Sequence, residues 1–266
     1  MPAGRLADRC GLYLSDRGEY AAAEPLLIRA LAALEKLLGT QNAEVADAME
    51  NLGTLYGRQG RYEEEAQLHQ RVIDVREALY GADHEAVATA LNNLGLAYEQ
   101  QERYDEAASL YERCLVISER TLGPDHPTVA TTLNNLGNVC YWQGRYDDAE
   151  RFQQRALAIA ERALGTPHPS VARSLQNLAV VYHRQGRLSE AAEMQQRALA
   201  MLEGTYGSNH PDVAQSLVSL ANVYEAQARA NDAQPLYERA LAIREAALGP
   251  EHPKTREARE KLTRLG

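Results

Sequence analysis

The apolar positions of this chain fall into two helical patterns that alternate from end to end. Val87, Leu91, Leu94 and Tyr98 sit at i, i+4, i+7 and i+11, which is one face of a helix. Leu110, Cys114, Leu115, Ile117 and Leu122 follow at helical spacing on a second one. Between them lies a polar turn at Glu102-Arg103-Tyr104, where other stretches carry Gly60, Gly144 and Gly186. Gly123 ends the second helix and is expected to be a left-handed C-terminal cap. Pro124-Asp125-His126-Pro127 then opens the next helix, with a polar residue ahead of a proline in the first turn. No segment alternates apolar and polar residues over a strand length, and no Asn-Gly or Asp-Gly hairpin signal occurs.

The helix pair recurs with a fixed period. Gly39, Gly81, Gly123, Gly165, Gly207 and Gly249 are 42 residues apart. The same step carries His84 to His126, His168, His210 and His252, and Leu52 to Leu94, Leu136, Leu178, Leu220 and Leu262. Arginine recurs from Arg29 to Arg239, and glutamate from Glu35 to Glu245. A pair of this size cannot bury its apolar face alone, whereas stacked pairs share a continuous core. The expected fold is therefore all-α, an α-solenoid of about six pairs. The chain reads as a single array over residues 1–266, without a linker. Its repeats fall at about 4–39, 45–81, 87–123, 129–165, 171–207 and 213–249. A charged helix at 253–265, with Ala258, Leu262 and Leu265 on one side, is expected to cap the C-terminal end. The first helix begins within a few residues of Met1 and has no matching cap. Self-association through that repeat, or attachment to a preceding domain, is expected on this ground.

The residues inside the period carry a resemblance. Leu94-Gly95-x-x-Tyr98 followed by Ala107, Tyr111 and Cys114 resembles the tetratricopeptide signature, and so do Leu52-Gly53-x-x-Tyr56, Leu136-Gly137 and Leu178-Ala179-x-x-Tyr182. The small residues Ala23, Ala107, Ala149, Ala191 and Ala233 suit close helix approach. Glu65 breaks that column, and looser packing is expected there. The 42-residue period and the connector ending in His-Pro, as in Thr132–Ala172, are similar to the repeats of kinesin light chains. The resemblance runs from about Leu6 to Pro253 and implies a right-handed solenoid. The heptad coiled coil of the light chains is missing. The opening Leu6–Leu31 also resembles the first repeat after the nucleotide-binding switch domain of multidomain signalling proteins.

Composition narrows the class of function. With 45% hydrophobic and 24% charged residues the chain has the make-up of a folded protein. A net charge of −9 argues against binding the phosphate backbone of a nucleic acid. No apolar run reaches the ~18 residues of a membrane span, and no apolar signal core follows Met1, so a cytoplasmic protein is expected. Cys10, Cys114 and Cys140 lack disulfide or metal spacing and suit reduced, semi-buried positions.

No catalytic template occurs: there is no Gly-x-Ser-x-Gly, phosphate loop or His-Glu-x-x-His. An enzyme is not expected, nor a cofactor or metal. Histidines one repeat apart are too distant to share an ion that needs ligands at ~2 Å. Each precedes a first helical turn, where a ring nitrogen can accept from the backbone, and Asn42 takes the same place in the first connector. The Glu35 column recurs in every repeat and reads as scaffolding without an identified partner.

The resemblance implies that the first helix of each pair lines a concave groove for a partner protein or peptide. The groove candidates are Asn51 in the second repeat and Asn92 and Asn93 in the third. The fourth supplies Asn134, Asn135, Asn138 and Trp142, and the fifth Arg173, Gln176, Asn177, His183 and Arg184. An asparagine amide carries one acceptor and two donors, so the column from Asn51 to Asn177 matches an extended peptide backbone; it equally suits bonds to neighbouring repeats. Trp142 beside Arg173 and Arg184 suits an acidic peptide with one aromatic or apolar anchor. Two alternatives stand beside this scaffold: a sensor or autoinhibitory arm of a larger nucleotide-binding protein, and a cargo adaptor of the light-chain type.

Overall fold

The computed structural model describes residues 3–265 and, among them, thirteen α-helices. From the second pair to the sixth the helices alternate between 16 and 19 residues: α1 Ala3–Asp16, α2 Tyr20–Leu38, α3 Ala43–Arg58, α4 Tyr62–Tyr80, α5 Glu85–Gln100 and α6 Tyr104–Leu122 form the first three pairs. α7 Pro127–Trp142, α8 Tyr146–Leu164, α9 Pro169–Arg184, α10 Leu188–Tyr206, α11 Pro211–Ala226 and α12 Ala230–Leu248 form the next three, and α13 Pro253–Leu265 follows. They gather into two compact units, Met1–Pro124 and Asp125–Gly266. Each unit stacks its pairs in chain order, the α-solenoid arrangement.

Local chemistry closes the starts of α3, α5, α7, α9, α11 and α13, whereas the second helices of the pairs, as at Arg61 and Arg103, begin without a side-chain cap. His84 Nδ1 accepts the N–H of Ala86 at 3.1 Å, and His126, His168, His210 and His252 accept from the residue two ahead in the same way. Asn42 Oδ1 does so at 2.9 Å. The histidine column is thus a set of N-caps. The glycines that end the second helices have positive φ, as expected, but the cap is not the left-handed one. Gly123 has φ 93° and ψ 155°, so the chain leaves extended toward the next N-cap instead of curling back. Within each pair a second positive φ turns the chain, at Gly18, Gly60, Gly144 and Gly186, and at Glu102 (φ 59°) and Ala228 (φ 58°), which lack the freedom of glycine.

The glutamate column has a partner. Arg71 Nη2 meets Glu35 Oε1 at 2.9 Å, Arg197 meets Glu161 at 2.7 Å and Arg239 meets Glu203 at 2.6 Å. Arg259 of α13 meets Glu245 at 2.7 Å. These exposed pairs contribute at most ~1 kcal/mol each and chiefly fix register. Arginines also lie over the tyrosines of the first helices: Arg61 on Tyr56 at 3.9 Å, Arg103 on Tyr98 at 4.0 Å, Arg187 on Tyr182 at 4.0 Å and Arg229 on Tyr224 at 4.3 Å.

Two further expectations are corrected. Glu65 does not loosen its repeat: Gly57 leaves a gap that its carboxylate fills, and a Cβ built there would lie 2.5 Å from Glu65 Oε1. Cys10 is exposed, because it falls on the outer side of α1, while Cys114 and Cys140 are buried. In α13, Ala258 is buried and Leu262 packs on the apolar core of its unit. The side chain of Leu265 lies outside the described residues, as do Met1, Pro2 and Gly266.

Candidate functional site

The groove candidates lie on the first helix of each pair, and the two units treat them differently. In the first unit, Asn51 Nδ2 donates to both carboxylate oxygens of Asp8, at 3.1 and 3.0 Å. Burial raises the Asp8 pKa, the Asn51 bond opposes that, and neighbouring Asp47 adds to it. Asn93, in the same column, donates to Glu50. Asn92 is half-buried and its side chain is also engaged. Arg58 donates to Ser15 Oγ and Asp16 Oδ1, each at 2.9 Å. Arg76, nearly buried, bridges Asp47 at 3.0 Å and Glu50 at 2.6 Å.

In the second unit, α7 and α9 border a cleft of about 100 Å³ that brings together Asn134, Asn135, Asn138, Arg173 and Asn177. Asn134 Nδ2 donates to Ser174 Oγ at 3.0 Å, yet its buried Oδ1 has no partner among the described residues. Asn135 is engaged within the chain. Asn177 stands 43 residues after Asn134, the step that separates Asn51 from Asp8 and Asn93 from Glu50. An amide has replaced the carboxylate, and the Asn177 side chain makes no such bond. Arg173 is exposed and also lines a second cleft of about 250 Å³ with Gln176 and Tyr206. Trp142 is 58% exposed and stands edge-on to Tyr141, with ring centres 5.3 Å apart. Arg184 Nε donates to Tyr141 Oη at 2.7 Å. The tryptophan therefore groups with Arg184 through Tyr141, while Arg173 groups with the asparagines. His183 lines a third pocket, described next.

One column of the second helices was not singled out from the sequence. Leu27, His69, Tyr111, Gln153, Gln195 and Tyr237 all pack deep against the first helix of their pair. The polar members find partners there. Tyr111 Oη donates to Glu99 at 3.2 Å and Tyr237 Oη to Asn222 Oδ1 at 2.7 Å. Burial holds the Glu99 carboxyl above the usual range, against the Tyr111 bond. Gln153 Nε2 donates to Asn134 O at 3.0 Å and Asn138 Oδ1 at 3.1 Å. Gln195 is 2% exposed, and its buried Oε1 has no partner among the described residues. Such an atom costs roughly 1–3 kcal/mol. It lines a pocket of about 160 Å³ with His183, Ser219 and Asn222. The signal was present in the sequence as polar residues, His69, Gln153 and Gln195, in a column that elsewhere carries leucine and tyrosine.

Among the described residues, no three His, Cys, Asp or Glu side chains gather as a metal site would require, and no helix is long and apolar enough to cross a membrane.

The tetratricopeptide repeat model matches residues 6–78, 66–120, 87–141, 128–204, 193–246 and 212–265, and the chain belongs to that family. No curated protein matches it in sequence. Among solved structures it is similar to BtubC (BKLC) from P. vanneervenii, with 25% identity, a TM-score of 0.70, and 90% of this chain and 94% of that one covered. It is also similar to the nearly identical, kinesin light chain-type repeats from Podosopora anserina, with 26% identity, a TM-score of 0.67, and 75% and 94% covered. The tetratricopeptide sensor protein PH0952 of the signal transduction ATPases, from Pyrococcus horikoshii, shares the fold at 16% identity and a TM-score of 0.75. That match covers 97% of this chain and 38% of that one.

Proposed function

We propose that this chain is a non-catalytic, cytoplasmic scaffold that holds a peptide segment of a partner protein on the first helices of its second unit. The observation that carries the reading is the cleft between α7 and α9. Arg173 stands exposed there, beside Asn177 and the Asn134 side-chain oxygen Oδ1, which has no donor among the described residues. An extended backbone supplies N–H donors to that oxygen and carbonyls to the amides. The guanidinium favours an acidic residue in the partner, and exposed Trp142 offers an apolar surface nearby in the chain. On this reading the whole chain acts as one array, the first unit being a support whose polar groups are already paired.

The likeness to BKLC and to the light chain-type repeats favours an adaptor over a sensor arm, since the sensor protein shares the fold alone. A display screen of random peptides against the full chain tests the proposal, run beside an Arg173→Ala/Asn177→Ala variant with an unchanged far-UV CD melt. Peptides with a shared acidic motif should bind the parent and lose at least ~10-fold in affinity on the variant, as loss of a charged hydrogen bond implies. Added salt should weaken binding further. Equal binding by the two proteins, or no binding at all, rejects the cleft.

A further inference from the structure

Buried polar atoms are bonded as a rule, so each exception calls for a physical account. Gln195 has a built-in comparison 42 residues earlier. Gln153 occupies the same place in its repeat; its Nε2 is held by Asn134 O and Asn138 Oδ1, while its Oε1, like that of Gln195, has no partner among the described residues. Opposite it stands Gly137, where a Cβ would come within 2.5 Å of Gln153 Nε2. In the next repeat both features are gone. Ala179 stands where Gly137 stood, and its methyl occupies the space into which the Gln153 amide settles. Val180 stands where Asn138 stood and supplies no acceptor. The glutamine has been kept and its internal partners removed, and in their place is a pocket of about 160 Å³.

The lining defines what fits. Ala179, Val180 and Val223 form apolar walls. Asn222 Oδ1 accepts from Lys261 Nζ at 3.1 Å and lies 2.7 Å from Tyr237 Oη, whose proton Glu225 also takes, which leaves its Nδ2 as the donor for an occupant. Ser219 Oγ donates to Gln215 O at 3.1 Å. No carboxylate, lysine or arginine lines the pocket, so a cationic head would be desolvated without a counter-charge, and a carboxylate, though His183 also lines the pocket, has no donor for Gln195 Oε1. An aliphatic side chain would leave Gln195 Oε1 unpaired. A carboxamide alone among side chains offers two N–H donors and a carbonyl acceptor in one plane. It can donate to Gln195 Oε1 while accepting from Asn222 Nδ2.

We propose that this pocket is a specificity subsite that takes the carboxamide side chain, asparagine or glutamine, of the bound peptide. The inference rests on the peptide-scaffold reading above and adds one recognised residue to it.

The test uses a phage-displayed library of random dodecapeptides selected against the full chain, against Gln195→Leu and against Val180→Asn. The last change gives back the internal acceptor that repeat four has, so it closes the subsite even if Gln195→Leu folds poorly. The parent should enrich peptides with an invariant Asn or Gln at one position. Replacing that residue by Leu in a selected peptide should weaken binding to the parent at least ~10-fold. The same replacement should cost less than about twofold on Gln195→Leu, the pair behaving as a coupled cycle. Gln195→Leu should instead select an aliphatic residue at that position, and Val180→Asn should lose the preference. Enrichment without an invariant carboxamide, or its persistence in both variants, overturns the subsite and leaves the scaffold standing. No enrichment on any of the three proteins overturns both.

Discussion

In residues 3–124 the amide of Asn93 is taken up by Glu50 and that of Asn51 by Asp8, while Arg76 and Arg58 rest on Asp47, Glu50 and Asp16. In residues 125–265 the equivalent step leads from Asn177 to Asn134, and the guanidinium at the groove position is the exposed Arg173. Both units use one helical frame, one set of N-caps and one arginine–glutamate ladder. They differ in whether a carboxylate stands one repeat behind each amide. With the acid present, the polar groups of the inner helices are part of the fold. With an amide in its place, the Asn177 side chain makes no such bond.

The largest effect should come from removing the acid that serves the first unit twice. Glu50→Ala leaves Arg76 nearly buried with Asp47 alone and Asn93 without its acceptor. It should destabilise the protein by about 3 kcal/mol in urea unfolding. A loss below about 1 kcal/mol would mean that these contacts do not hold the unit together. The reciprocal change carries the first unit's solution into the second. Asn134→Asp supplies a carboxylate to Asn177 and Arg173, so peptide binding measured by calorimetry should fall about tenfold while the melting temperature holds or rises. Unchanged affinity would break the contrast between the units.

A smaller effect tests what the units have in common. Glu102→Gly and Ala228→Gly should each gain about 1 kcal/mol, because a positive φ strains any side-chain-bearing residue. A gain in one unit only would show that the turns are not equivalent. Smallest is Asp8→Asn. The folded-state pKa of Asp8 lies above its unfolded value, so the ionised group opposes folding at neutral pH. That cost disappears as pH falls through the folded pKa. Stability of the parent relative to Asp8→Asn should therefore improve from pH 7 to pH 4.5, by less than about 1 kcal/mol. A flat difference between the two would contradict the raised pKa.

Much of this was legible from the columns. The 42-residue step predicted the helix pairs, and the position of His84 ahead of a first turn predicted its capping role, because a cap is a contact two residues long. The glutamate column stayed without a partner because its arginine lies 36 residues on, a spacing that follows from helix packing and not from the repeat length. The clustering of Arg173 with the asparagines, and of Trp142 with Tyr141 and Arg184, depends on where side chains turn between neighbouring helices. Gln195 shows the limit most clearly. Its polarity was visible in the column, but what its Nε2 lacks relative to that of Gln153 needs Ala179 and Val180 together, one removing the space and the other the acceptor.

The local closure of the helix ends bears on how such a gene changes length. Each connector carries its own cap within two residues of the helix it starts, and each glycine N–H returns to a glutamate carbonyl in its own helix, as Gly81 does to Glu77 at 2.9 Å. An unequal crossover between two repeats would join half of one connector to half of another and restore both. The arginine–glutamate spacing would survive as well, since both residues recur with the same step. Recombination can therefore add or delete a pair without mending a boundary. Positions that vary between copies, such as 134, 179 and 180, lie inside the helices and away from these boundaries.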